Sequence, residues 1–426
     1  MVYLKEKKKP TFKIGMFWFF TSVSGAEFIL GITASTLGIT RGLAACLLGH
    51  LLGGVFLYAF GKIALKNNMS VRDMAEISLG KLGLGGFGVS LALQLQGWAG
   101  IMLILAATMI NRILMSFFTN VRTYDRLCVA ALCVVLVFFQ INPKVTKKFE
   151  NAANMLLLGV FLYTIYLVAA NRPETGAAVS AMPFHAAVEI ALTMSVVWCL
   201  FMSRYIKEQA LEIAKSESEI KAFNGRRVLS TATLAYCAGG VLAFGAGVFA
   251  GVYGGNLDNF DYAKVVGSTS GIVGLSVAAF NLLFRAAAKT NMATELFSVA
   301  FSKQNSKFIY AFSSGGVILV AFFFSKNLLH LYPYLTNAIV IPLFAVLISD
   351  FFILDKKTLD ETVPAPLLRV QIVIVWLFGF LMYRVFAEIH APIGYAVPAF
   401  ALTALFNVAL VKVRLPKKKA AEKINL

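Results

Sequence analysis

The chain has 426 residues, of which 59% are hydrophobic and only 14% charged, and its mean hydropathy is +0.76. Soluble domains are about 25% charged, so the composition excludes a water-soluble enzyme and points to a chain that crosses a membrane many times. The formal net charge of +18 would suit nucleic acid unless membrane topology accounts for it.

Crossing roughly 30 Å of hydrocarbon takes about 20 apolar residues. Twelve stretches qualify as spans. The first six are residues 14–37, 42–65, 86–110, 127–141, 152–170 and 184–203. The second six are 228–249, 271–301, 308–324, 331–353, 370–385 and 394–411. The first follows a basic segment and lacks a small-residue cleavage site, so it reads as a span and not a signal peptide. With both termini placed in the cytoplasm, 29 of the 39 Lys and Arg residues fall in cytoplasmic segments and eight outside. This is the positive-inside pattern of an inner-membrane protein. It explains the net charge and removes nucleic acid as a partner.

The chain then divides into a basic tail (1–13), a five-span block (14–170), a second five-span block (184–353), two extra spans (370–411) and a basic tail (412–426). A polar stretch at 205–227 (including KEQALEIAKSESEIKAF) reads as a cytoplasmic helix with mixed charge. Spans one and six open their blocks and carry polar residues at mid-membrane. Spans three and eight are long and polar. This correspondence suggests two inverted five-helix repeats, an architecture that binds substrate at the midplane where helices are broken.

Within span one (FTSVSGAEFILGIT) the residues Ser22, Ser24 and Gly25 loosen the helix, and Glu27 lies near its centre. A carboxylate in hydrocarbon costs at least a few kcal/mol and normally faces a cavity or a partner. Glu27 is therefore a ligand contact, a proton carrier, or one half of an ion pair with Arg285 or Lys289. In span two, His50 (LLGHLLGG) either bonds a neighbouring helix or relays protons. In span three, Gln94 and Trp98 share a helical face and Gln96 lies on another. An amide beside an indole suits a flat heteroaromatic ligand, which would stack on the ring and pair its polar edge with the amide. Helix–helix bonding by the glutamines is the other reading. Span six carries Trp198, either a second stacking ring or an interfacial tryptophan.

Span eight is the most charged. Asn281, Arg285 and Lys289 recur every four residues as one polar stripe, followed by Thr290, Asn291, Thr294 and Glu295. Two cations and an acid within one span avoid lipid, so they line a cavity or pair with Glu27. The five cysteines form no CxxC pair and the four histidines no HExxH motif. No cofactor, metal or enzymatic constellation is expected.

SVSGAEFILGITASTLG, LLGHLLGG, MSVRDMAEISLGKLG and LQLQGWAGIM resemble the nucleobase–cation symporter family of cytosine, purine and hydantoin permeases, nearest its hydroxymethylpyrimidine-permease branch. The resemblance is good over about residues 14–115, poorer over 190–300 and weak beyond. It implies an all-α, twelve-helix, LeuT-like fold with a five-plus-five inverted repeat and helices 1 and 6 broken. It implies a secondary transporter that imports a pyrimidine-type molecule, coupled to Na+ or H+. Together with the residue readings above, it places the substrate among Glu27, Gln94, Gln96, Trp98, Trp198, Thr294 and Glu295, and ion coupling at Gly25, Lys289, Thr290 and Asn291. Arg285 and Asn281 would gate or pair.

The sequence departs from the family at three points. Ala92 stands where a further stacking tryptophan is expected, Arg204 precedes Tyr205 where the nearest branch has an acid, and Glu295 replaces an aspartate. Lys289 falls near the family's sodium position, where an ammonium group would take the ion's place and remove sodium dependence. An amino-acid or polyamine permease of the same fold is the alternative, favoured by the two acids.

Overall fold

The computed structural model describes residues 2–67, 69–118, 125–171, 182–214, 225–254, 261–301, 304–354 and 367–424. Their regular structure is entirely helical. The helices are α1 (Val2–Ser22), α2 (Gly25–Ala34), α3 (Gly38–Asn67), α4 (Val71–Leu79), α5 (Lys81–Phe117), α6 (Asp125–Ile141) and α7 (Pro143–Asn171). They continue with α8 (Phe184–Ala214), α9 (Gly225–Gly254), α10 (Tyr262–Ala300), α11 (Ser306–Phe323), α12 (Tyr332–Ile348), α13 (Val370–Glu388) and α14 (Ala396–Ile424). Each of the twelve expected spans is covered by one or two of these. Nine described helical stretches are long and apolar enough to cross a membrane, so this is a multi-pass membrane protein. The basic segments at the two ends are not separate coils. Helix α1 already begins at Val2, and α14 runs on to Ile424. Residues 215–224 of the expected cytoplasmic stretch lie outside the described residues.

The break in span one follows from its side chains. Thr21 Oγ1 donates to the Phe17 carbonyl at 2.8 Å and Ser22 Oγ to that of Phe19 at 2.9 Å. Such back-bonding competes with the helical ladder. Ser24 then takes extended geometry (φ −141°, ψ 149°), and its hydroxyl accepts from the Glu27 amide, capping α2. Span six differs from expectation, since α8 runs from Phe184 to Ala214 without interruption. Its sequence contains no Gly or Pro after Phe184, the commonest causes of a sharp kink. Span eight bends instead. Gly271, at φ +61° and ψ −158°, divides α10 into a short lead and the long segment that carries the polar stripe.

Contacts divide the chain into two units. The first comprises residues 1–55, 88–195 and 230–333. Within it, α2 lies against α9 backbone to backbone. A Cβ on Gly31 would collide with the Phe244 carbonyl, and one on Gly247 with that of Phe28. Gly239, Gly247 and Gly251 extend this contact along one face of α9, with Gly239 against Phe19 and Gly251 against Ser35. Small residues allow helices to approach this closely where no hydrophobic force drives them together. The glycines around His50 serve the same end, with Gly49 packed on Val188 and Ala191 and Gly53 on Ser195.

The second unit comprises residues 56–87, 196–229 and 334–426. Its core pairs Phe60 with Phe344 and Phe56 with Phe400. Helix α4 has a capping box, with Ser70 and Asp73 each satisfying the other's backbone amide. Span ten ends in a π-turn at Ser349–Ile353. There Asn407 donates to Ser349 Oγ at 2.8 Å and to the fully buried Asp350 at 2.9 Å.

Candidate functional site

The polar stripe of span eight meets the break in span one. Arg285 Nη2 donates to the carbonyls of Phe20 at 2.7 Å and Val23 at 3.0 Å. It also donates to Asn154 Oδ1 at 3.2 Å, while Nη1 pairs with Glu150 at 3.0 Å. Asn154 adds a second bond to the Phe20 carbonyl, at 3.1 Å. On the other side of the break the Gly25 amide donates to Asn281 Oδ1 at 2.9 Å, and Asn281 Nδ2 donates to Asn154 Oδ1 at 2.7 Å. The broken end of a helix exposes unpaired carbonyls and carries partial negative charge. Here those carbonyls are satisfied by a guanidinium that belongs to the protein. Arg285 is 5% exposed and Asn281 fully buried.

Arg285 is the cation bonded to the carbonyls at the break, and Lys289 lies one turn further along α10. The i, i+4 spacing explains the difference. Both cations lie on one face of α10, but Arg285 is one turn nearer the break, and its planar fork can reach several acceptors at once. Lys289 is 5% exposed, and its ammonium lies within electrostatic reach of Glu27, Glu150 and Arg285. Nor does Arg285 pair with Glu27. Its acid is Glu150 of α7, a residue that hydropathy assigned to the segment before span five.

Glu27 faces His50. The Oε1–Nε2 distance is 3.7 Å, with the side chains 1% and 0% exposed. His50 Nδ1 lies 2.9 Å from the Cys46 carbonyl oxygen. A carbonyl only accepts, so Nδ1 holds a proton and Nε2 is the nitrogen turned towards Glu27.

Other expected site residues have different surroundings. Gln96 Nε2 donates to the carbonyls of Phe312 and Ser313 at 3.1 and 3.0 Å, so its amide nitrogen ties α5 to α11. Thr290 Oγ1 donates to Ala286 O at 2.8 Å, and Thr294 Oγ1 donates to Thr290 O at 2.9 Å. Gln140 Nε2 donates to Thr294 Oγ1 at 3.3 Å, and Ser313 Oγ donates to Thr290 O at 3.0 Å. Thr290 and Thr294 therefore tie α10 to α11 and α6. Glu295 is exposed on the outer face of α10, and Asn291 is half-buried. Glu295 is ten residues beyond Arg285, and at 3.6 residues per turn this rotates it well away from the stripe.

Trp98 is fully buried and meets Tyr332 edge-on, with centroids 5.1 Å apart. The Tyr332 hydroxyl donates to the Gln94 carbonyl at 2.9 Å and lies directly on Gly97. The Gln94 residue is 7% exposed. Trp198 belongs to the second unit, where it is half-buried against Phe201.

A helix broken within its span, with a cation on its freed carbonyls, resembles the discontinuous helices of transporter folds. Comparison with solved structures agrees. The inward-facing conformation of Mhp1 superposes with a TM-score of 0.75 at 16% identity, over 97% of this chain and 91% of that one. The chain has the Mhp1 fold. A closed conformation of Mhp1, described as a nucleobase-cation-symport-1 family transporter with bromovinylhydantoin bound, gives 0.70 at 16% identity, over 94% and 92%. A Na+-coupled sialic acid symporter in a substrate-bound outward-open state gives 0.61 at 12% identity, over 95% and 90%. No protein-family model and no curated protein sequence matches the chain. The fold is therefore the all-helical, LeuT-like one that the resemblance implied, with span one broken.

Proposed function

We propose that this protein is a secondary transporter that imports a small pyrimidine-type molecule, such as hydroxymethylpyrimidine or cytosine, by alternating access. It does so from the bacterial inner membrane, with both termini in the cytoplasm. The observation that carries this reading is the broken first span whose carbonyls hold the Arg285 guanidinium, in a chain with the fold of Mhp1. A fixed polar junction at the midplane lets helices rock around it without exposing backbone groups to lipid. Trp98 in span three supports a flat ring as substrate, because an indole binds such a ring by stacking. The charges support it too. Of the two acids that favour an amine, Glu295 is on the surface and Glu27 faces His50, so they do not converge on a cationic amine.

The reading is tested by uptake of labelled hydroxymethylpyrimidine into a permease-deficient host, with unlabelled cytosine, uracil and lysine as competitors. Saturable uptake blocked by a pyrimidine and not by lysine is expected. Transport of lysine or another amine in its place would overturn the pyrimidine assignment and favour the amine-permease alternative. Stacking on an aromatic side chain is worth about 1–3 kcal/mol per base. Trp98→Ala should therefore raise KM by roughly tenfold or more, and Trp98→Phe should restore most of the affinity.

A further inference from the structure

The first unit contains two buried pairs of opposite character. Arg285 and Glu150 touch at 3.0 Å, and the guanidinium donates three further bonds to fixed acceptors. That pair is in direct contact and heavily bonded through Nη1 and Nη2, and only its Nε lacks a partner among the described residues. Glu27 and His50 stand 3.7 Å apart, within reach of an ion pair but beyond a hydrogen bond. Among the described residues, neither Glu27 oxygen nor His50 Nε2 has a hydrogen-bond partner. A buried polar group normally finds one, and leaving it unpaired is costly. Their position is nevertheless closely fitted. The imidazole rests on Gly240, where any Cβ would overlap the ring, and meets the edge of Phe244 at 6.0 Å.

We propose that Glu27 and His50 together form the proton-binding site to which transport is coupled. The proposal rests on the transporter reading and names the ion. Because Nδ1–H is committed to the Cys46 carbonyl, the pair offers two basic positions, the Glu27 carboxylate and His50 Nε2. Empty, it carries a charge of −1. One proton makes it neutral overall, and a second makes it cationic. Such a charge change in a dry interior alters the local electrostatics strongly.

The change is felt in the right place. Glu27 lies in the first turn of α2, two residues beyond the Gly25 amide held by Asn281. A carboxylate there is favoured by the helix N-terminus, and protonation removes that attraction. Three other titratable groups face the pair. Cys46 Sγ of α3 is 3.7 Å from Nδ1, and Cys237 Sγ of α9 donates to the His50 carbonyl at 3.3 Å. Lys289 of α10 interacts electrostatically with Glu27. Loading the pair therefore weakens the hold of Glu27 on Lys289, one turn along α10 from the guanidinium that grips the break.

The purified full-length chain provides a test that needs no substrate. Infrared difference spectra recorded across a pH titration should show a buried carboxylic-acid C=O band. That band should vanish in Glu27→Gln, move in Glu27→Asp and shift its midpoint in His50→Gln. In sodium-free proteoliposomes, an inward proton gradient should drive pyrimidine accumulation above equilibrium in the wild type. His50→Gln should equilibrate substrate without accumulating it. A wild-type spectrum without a titrating carboxyl, a band unchanged in Glu27→Gln, or full accumulation by His50→Gln would overturn the proposal. If the band behaves as expected and no pyrimidine moves, the proton site is supported and it is the substrate reading that fails.

Discussion

Replacing Arg285 with methionine should abolish transport and lower the stability of the folded protein by about 3–5 kcal/mol, the usual cost of stranding one partner of a buried ion pair. The substitution leaves the Phe20 and Val23 carbonyls at the break with fewer donors and Glu150 as a buried, unpaired acid. Arg285→Lys keeps the charge but loses the fork, and one ammonium cannot serve both carbonyls, Asn154 and Glu150 together. It should therefore fold and transport poorly. Coupling in a double-mutant cycle identifies the pair. Adding Glu150→Gln to Arg285→Met should recover much of the stability and none of the transport. Thermal unfolding in detergent, alongside uptake, measures both. An Arg285→Met variant that transports at the wild-type rate would remove the guanidinium from the account.

The second large effect is expected where α2 crosses α9. Gly31→Ala or Gly247→Ala places a methyl group against a backbone carbonyl that is itself fixed in a helix, so no side-chain rotation relieves it. Overpacking typically costs about 1–3 kcal/mol, and contact with backbone places these sites at the upper end. Loss of folded protein, or of transport by protein that remains folded, is the expected outcome. Gly159 and Gly315 provide the control. Nothing lies within 4 Å of a Cβ at either, and Gly→Ala in a helix interior gains roughly 0.5–1 kcal/mol. These two substitutions should be neutral or mildly stabilising. Equal melting temperatures for Gly31→Ala and Gly159→Ala would show that the α2–α9 crossing is not as tight as described.

Much of the architecture is legible in the sequence because hydropathy and charge are local signals. Twelve apolar stretches become helices, and the run TSVSG marks the break through side chains that bond their own backbone. The stripe of Asn281, Arg285 and Lys289 is readable from spacing alone. What the stripe touches is not. Glu150 and Asn154 lie 135 and 131 residues from Arg285 in sequence, and a hydropathy window assigns Glu150 to a polar connection. One signal misleads in the other direction. Polar composition suggests a break in span six, whereas α8 is continuous through it. Of the residues expected at the substrate, Gln96 ties α5 to α11 through its amide nitrogen and Glu295 is exposed, surroundings that spacing does not reveal. The partnership of Glu27 and His50 needs the fold, since only the crossing glycines bring α2, α3 and α9 close enough.

The cation at the break of span one is part of the chain. Purified protein in proteoliposomes, given labelled substrate outside under an inward proton gradient, should transport at the same rate when external sodium is replaced by choline, because the carbonyls at the break already hold Arg285. Uptake that rises steeply with sodium, and vanishes without it, would contradict the assignment of Arg285 as the resident cation.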